Sequence, residues 1–259
     1  MTIELIVIGF VSLFASFLTF FSGFGLGTLL LPAFAIFFPI ETAITLTAVV
    51  HFLNNIFKTT LTYKDINVSL VKKFGIPSII GAIMGSILLV EVVIYFEDFN
   101  YNIFKITLTT SILKITIGII IFCFTIIEFI NLEKWIKTGN KTLIYGGIIS
   151  GFFGGISGHQ GALRTLFLSK LNLDKFSFIS SGIAIALLID ISRIPIYFSN
   201  FKLQDFYNGF EHSIVALTTA LIGAIVGKQF LQKIKINSLY KLVGICLIVF
   251  SIFFAVGII

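Results

Sequence analysis

The chain has 259 residues, of which 57% are hydrophobic and only 12% charged, and its mean hydropathy is +1.08. A soluble domain carries about 25% charged residues, so this sequence lacks the polar surface needed to cover a water-soluble globule. The net charge of +6 would suggest nucleic acid in a soluble protein, but in so apolar a chain it reflects lysine-rich cytoplasmic loops, and no nucleic-acid partner is expected.

Eight apolar segments follow one another, near 3–38, 42–60, 74–96, 103–130, 143–168, 176–199, 212–231 and 239–259. The first starts at Ile3 with no Lys or Arg ahead of it and no small-residue cleavage site before a soluble domain. It therefore reads as part of the fold and not as a secretory signal. It is too long for one span of about 20 residues and is broken at Ser22-Gly23-Phe24-Gly25-Leu26-Gly27. In the fourth segment the stretch from Ile106 to Ile127 carries one charge, Lys114. The fifth is broken at Gly154-Gly155-Ile156-Ser157-Gly158-His159-Gln160-Gly161, and the sixth carries Asp190 and Arg193. Gly inside a helix costs about 1 kcal/mol relative to Ala, so two glycine clusters in apolar segments need a reason. Cys123 and Cys246 each lie within an apolar segment and read as small buried hydrophobes.

The two halves correspond. Ser22-Gly23 aligns with Ser157-Gly158 at an offset of 135, and Asn55 and Lys58 align with Asp190 and Arg193 at the same offset. Gly81-Ala82-Ile83-Met84-Gly85 matches Gly223-Ala224-Ile225-Val226-Gly227. Matches in the same order indicate an internal repeat, with boundaries at 1–132 for the first unit, 133–142 for a cytoplasmic linker and 143–259 for the second. Corresponding loops carry opposite bias. Lys64, Lys72 and Lys73 follow segment two, whereas Lys202, Asp205 and Glu211 follow segment six. Glu91, Glu97 and Asp98 follow segment three, whereas Lys228, Lys233, Lys235 and Lys241 follow segment seven. Lysine marks the cytoplasmic side, so the repeats should be inverted.

The middle loop, with Glu133, Lys134, Lys137 and Lys141, and the link carrying Lys170 and Lys175 both read as cytoplasmic. Segment five then leaves and returns on one side as a re-entrant hairpin, and segment one does the same from outside, between Glu4 and Glu41. Non-helical backbone at that depth requires cover by protein or a water-filled cavity. The expected fold is an all-α polytopic membrane protein of two inverted repeats, each a broken helical hairpin plus three transmembrane helices. Eight full spans in a 4+4 parallel arrangement is the alternative.

Interrupted helices at matching places point to a transporter binding site. A short helix starts after each break, near Thr28 and Ala162. Its first N–H groups lack intrahelical partners and carry the positive end of the dipole, so two opposed ends form an anion site. Gly25, Gly27 and Gly161 would let a ligand approach the backbone, although such glycines also serve tight helix packing. Arg164 lies one turn into the second half-helix, beside His159 and Gln160; its planar guanidinium suits bidentate oxyanion contact or snorkels to the surface. Lys114, Asp190 and Arg193 are further intramembrane charges, costly and functional by default. Asp190 and Arg193 share a helix face and form either an internal salt bridge or a coupling element; Asn54, Asn55 and Lys58 sit at the equivalent place. His51 reads as a packing or gating residue. The three histidines lack metal-ligand spacing, and no GxxxxGK[ST] is present. No metal, cofactor or ATPase motif is expected.

These features resemble the TauE/SafE family of membrane permeases. The resemblance rests on the first glycine break running through Leu30-Leu31-Pro32, on Ala43, Thr45, Thr47 and Asn54-Asn55, and on Gly151-Phe152-Phe153-Gly154-Gly155-Ile156-Ser157-Gly158. It implies transport of a small anion such as sulfite, sulfoacetate or a related organosulfonate across the cell membrane. Two departures bear on substrate: Gly158-His159-Gln160-Gly161-Ala162-Leu163-Arg164 places hydrogen-bonding side chains in the second break, and Phe24 and Leu26 make the first more apolar. The expected function is a secondary permease working by alternating access. The anion would lie against Ser22, Gly23, Phe24, Gly25, Gly27, Asn54, Asn55, Ser157, Gly158, His159, Gln160, Gly161 and Arg164. His51, Lys58, Lys114, Asp190 and Arg193 would couple or gate. A passive anion channel and an intramembrane enzyme are the alternatives.

Overall fold

The computed structural model describes residues 2–19, 25–103, 106–130, 136, 139–230 and 237–259. Most of the apolar sequence becomes helix. Helices α1 (Thr2–Leu18) and α2 (Leu26–Ala35) form the first broken pair and pack against each other. Helix α3 (Ile40–Thr62) follows a Pro39 N-cap. A short α4 (Val68–Leu70), a π-helical stretch (Val71–Gly75) and α5 (Ile76–Tyr95) make one continuous helical rod. Helix α6 (Ile112–Phe129) completes the first half. The second half is α7 (Asn140–Ser157), α8 (Gly161–Leu168), α9 (Lys175–Asn200), the short α10 (Leu203–Asn208), α11 (Phe210–Phe230) and α12 (Asn237–Val256).

Helix starts follow local chemistry. The Asp174 carboxylate accepts from the Phe176 and Ser177 amides at 3.0 Å at the start of α9, and Ser111 accepts from Lys114 N–H at the start of α6. Both are side-chain N-caps. Among the described residues, five helical stretches are long and apolar enough to cross a bilayer: Ile40–Asp65, Val68–Tyr95, Ile112–Phe129, Lys175–Asn200 and Phe210–Phe230. Helices α2 and α8 have 10 and 8 residues. At 1.5 Å per residue they reach about 15 and 12 Å, roughly half the ~30 Å hydrocarbon thickness.

The packing exchanges elements between halves. Helix α1 lies on α11, α7 lies on α5, α3 crosses both α9 and α11, α5 crosses α9, and α6 pairs with α12. Swapping α1 with α7, α3 with α9, α5 with α11 and α6 with α12 leaves these pairings unchanged. Two of the interfaces are backbone-close. A Cβ added at Gly81, Gly85 or Gly151 would lie 2.0 Å from a carbonyl oxygen of the facing helix, and one at Gly223 would lie 2.2 Å from Leu13 O. Small residues that bring helices together are a membrane packing device, because lipid offers no hydrophobic drive for association. Gly151 and the Gly81/Gly85 and Gly223 motifs are thereby accounted for by packing. Gly151→Ala is expected to destabilise the α5–α7 seam by about 1–3 kcal/mol, seen as a lower melting midpoint of the detergent-purified protein; an unchanged midpoint would contradict the close packing.

Three expectations need correction. The fourth apolar segment is not all helix, because Phe99–Ile103 (β1) and Ile106–Thr110 (β2) form an antiparallel hairpin with Phe99 opposite Thr110. Alternating Thr side chains bond across it, Thr107 to Asn102 at 2.8 Å and Thr109 to Asn100 at 2.7 Å, while Tyr101 and Thr110 donate to the Val256 and Ala255 carbonyls at the end of α12. Cys123 and Cys246 are exposed rather than buried, since the outer faces of α6 and α12 are as apolar as their inner ones. Helix α7 begins at Asn140, inside the region read as linker; Glu133, Lys134 and Lys137 lie outside the described residues.

Candidate functional site

The two broken pairs meet at their tips. Helix α7 ends at Gly158, whose φ of +79° is a left-handed cap that glycine adopts without strain. The start of α2 comes against it: a Cβ on Gly27 would sit 3.5 Å from Gly158 O and 3.7 Å from Thr47 Cγ2. Neither half-helix has a side-chain cap at its N-terminus, where Gly25 and Gln160 stand. Their leading N–H groups remain available, with the positive dipole ends behind them.

A polar column on α3 and α9 runs past these tips. Asp190 is fully buried and Arg193 is 1% exposed. Arg193 donates from Nε to Asp190 Oδ1 at 3.0 Å, its Nη2 lies 2.9 Å from the same oxygen, and its Nη1 donates to Gly154 O at 3.1 Å. Tyr197 donates to Gly155 O. The α9 side chains thus hold the last turn of α7, Arg193 adding to the Gly158 N–H already on Gly154 O at 2.8 Å and Tyr197 bonding the next carbonyl. Across the interface His51 Nδ1 is 2.7 Å from Asp190 Oδ2, and Asn55 donates to that oxygen at 3.2 Å. A carboxylate only accepts, so the His51 contact fixes a proton on Nδ1 and leaves Nε2 directed toward Gly25, 3.9 Å from where its Cβ would be. In the first half Lys58 plays the part of Arg193: it donates to Ser16 O at 3.3 Å and to the Thr19 hydroxyl, in the last turn of α1. Ser16 in turn donates to Asn54 at 3.3 Å.

Between the column and α8 lies a cavity of about 50 Å³. Its polar lining is Thr19, His51, Asn55, Lys58, Arg164 and Thr165, with Gly25 and Gly182 at its walls. Arg164 Nη1 is buried without a hydrogen-bond partner. Asp190 does not line the space, and its charge is balanced by Arg193 behind it. The charge presented to the cavity is therefore positive, from Lys58 and Arg164. About 10–15 Å³ of such volume holds one water, so the cavity suits one small polyatomic ion and is too small for a drug-sized ligand.

The remaining sequence candidates divide. Ser22, Gly23 and Phe24 lie outside the described residues. Ser157 bonds His159 Nδ1 at 3.0 Å. His159 faces a second, smaller cavity, and the buried amide of Gln160 lines neither space. Asn54 stands behind the column. Lys114 is remote: its Nζ donates to Ile259 O at 3.3 Å and lies over the Phe254 ring. His212 pairs with Glu4 at 3.1 Å, also away from the cavity. Thr19, Thr165 and Gly182 were not legible, since hydroxyls and glycines recur through most of the apolar segments. Among the described residues no group of three His, Cys, Asp or Glu side chains could hold a metal ion.

Compared with known proteins, the chain matches the family model described as "Sulfite exporter TauE/SafE" over residues 8–254. No curated protein and no solved structure matches it.

Proposed function

From the premise that the chain belongs to the TauE/SafE sulfite exporter family, and is thus a multi-pass membrane transporter of the anion-exporter type, we propose that it carries a small sulfur oxyanion across the cell membrane by alternating access. The anion sits in the Arg164 cavity. It accepts hydrogen bonds from the Arg164 guanidinium, the Lys58 ammonium and the Asn55 amide, and it faces the uncapped start of α2. The observation that carries this reading is a buried guanidinium nitrogen without a partner, on a residue that lines a positively charged space of about 50 Å³. A cationic group buried in a membrane span is costly unless compensated, and an oxyanion compensates both cations at once. The volume favours sulfite over the larger sulfoacetate.

Alternating access follows from the exchange of helices between halves. Each broken pair leans on a helix of the opposite half, so one pair with its partner rocks against the other around a fixed central site. The opposite lysine bias of corresponding loops supports an inverted arrangement, and the half-length of α2 and α8 supports re-entrant hairpins. Asp190, Arg193 and Lys58 hold the hairpin arms in register.

Purified protein in liposomes, offered radiolabelled sulfite, sulfoacetate and thiosulfate, tests this. We expect saturable sulfite uptake that is accelerated by unlabelled sulfite on the far side. Non-saturating flux without counterflow would mean a pore, and movement of none of the three would remove the substrate class.

A further inference from the structure

On the other side of the α8 N-terminus lies a second cavity, where, among the described residues, an acid faces buried polar space without a partner. It measures about 10 Å³ and is lined by Thr28, Phe124, Thr125, Glu128, His159 and Ala162. Glu128 Oε1 is buried without a hydrogen-bond partner, and so is His159 Nε2. His159 is 1% exposed and its other ring nitrogen bonds Ser157. An acid and an imidazole, each with an unused position, thus border a space the size of one water.

Resting on the transporter reading above, we propose that Glu128 is the proton-binding group that couples anion movement to protons, with His159 as its relay partner. Asp190 is unsuited to that task, because Arg193, His51 and Asn55 already occupy its oxygens. Among the described residues no cation is set against Glu128. His159 is the other titratable residue lining the cavity. Of the elements packed on α6, α8 contributes Arg164, which lines the anion cavity. Helix α7 contributes Lys141 and Tyr145, α5 Glu91 and Tyr95, and α12 Lys241 and Cys246, all exposed. On α6 itself Lys114 is bonded to Ile259 O and Cys123 is exposed. An ionised carboxylate with no water or cation is costly in an apolar span, and binding a proton removes that charge.

The two cavities share walls. Gly25 and Leu26 of the first hairpin line the anion cavity while Thr28 lines the proton cavity; Arg164 and Thr165 of α8 line the former while Ala162 lines the latter. A shift of either half-helix on anion binding therefore changes the surroundings of Glu128. That is the condition for linkage: two ligands bias one moving element.

The test has two readouts. Infrared difference spectra of the purified protein between acid and alkaline pH report carboxyl protonation without any transport. One protonated-carboxyl band is expected to vanish in Glu128→Gln; an unchanged set of bands overturns the proposal. In liposomes, Glu128→Gln is expected to lose pH-gradient-driven sulfite accumulation roughly tenfold or more while sulfite counterflow at equal pH persists; gradient-driven accumulation equal to wild type overturns it. Should Glu128→Gln not fold, His159→Gln is expected to shift the pH at which that band titrates, and an unmoved titration overturns the relay. If the wild type moves no anion, the transporter reading fails and the infrared arm still decides whether Glu128 binds a proton.

Discussion

Asp190→Ala is expected to destabilise the protein by about 3–5 kcal/mol, because it strands a buried guanidinium. Arg193 is 1% exposed and has the Asp190 carboxylate as its counter-charge. With that carboxylate gone it keeps the Gly154 carbonyl and the Tyr197 ring but no counter-charge on α9. Arg193→Met should cost a similar amount by stranding the acid. The double variant Asp190→Leu/Arg193→Met should recover most of the loss, since exchanging a whole buried pair for apolar groups is often neutral. Thermal melts of the four proteins form a double-mutant cycle. Additive losses, with no recovery in the double variant, would show that the pair does not act as a unit. The double variant should still fail in transport: His51 loses the acceptor that fixes its Nδ1 proton, and the end of α7 loses the Arg193 donor and keeps only that of Tyr197 among the α9 side chains.

That pair marks how far sequence carries. The spacing of Asp190 and Arg193 places both on one face of α9, and the salt bridge was one of two readings the spacing allowed. It could not say what stood opposite. His51 reaches Asp190 across 139 positions, and nothing in the apolar, Thr-rich run around His51 distinguishes a carboxylate partner from helix packing. The glycines were more deceptive. A glycine in an apolar helix serves packing or ligand approach, and the local pattern is the same for both. Gly151 meets Ser78 O across a helix seam, whereas Gly25 lines the cavity; only the neighbouring helix separates them. Glu128 was missed for a different reason. It stands near the end of the segment at 103–130, just past the stretch from Ile106 to Ile127, and its partly buried place depends on residues far away in the sequence, Thr28 and His159, that border the same cavity. Helix order and the two breaks were legible because they rest on local composition. The strand pair at 99–110 was not, because its Thr and Asn alternation is short and runs directly into the apolar residues of α6.

Arg164→Ala is expected to weaken sulfite binding by roughly 10- to 100-fold, the equivalent of about 1.5–3 kcal/mol for one charge-assisted hydrogen bond. The guanidinium is held from behind: a Cβ on Gly182 would lie 3.1 Å from Arg164 Nε, so the side chain is packed against α9 with Nη1 unpartnered. A purely packing role would predict a loss of stability in Arg164→Ala and its recovery in Arg164→Met, which refills the volume without the charge. An anion-binding role predicts that Arg164→Met melts near the wild type yet stays defective in transport. Arg164→Lys should fall between, since an ammonium keeps the charge and loses the planar fork. Half-saturation concentrations for sulfite counterflow, with melting midpoints measured in parallel, separate the two. Wild-type half-saturation in Arg164→Met would rule out the guanidinium as an anion ligand and leave Lys58 and the α2 N-terminus to bind the substrate.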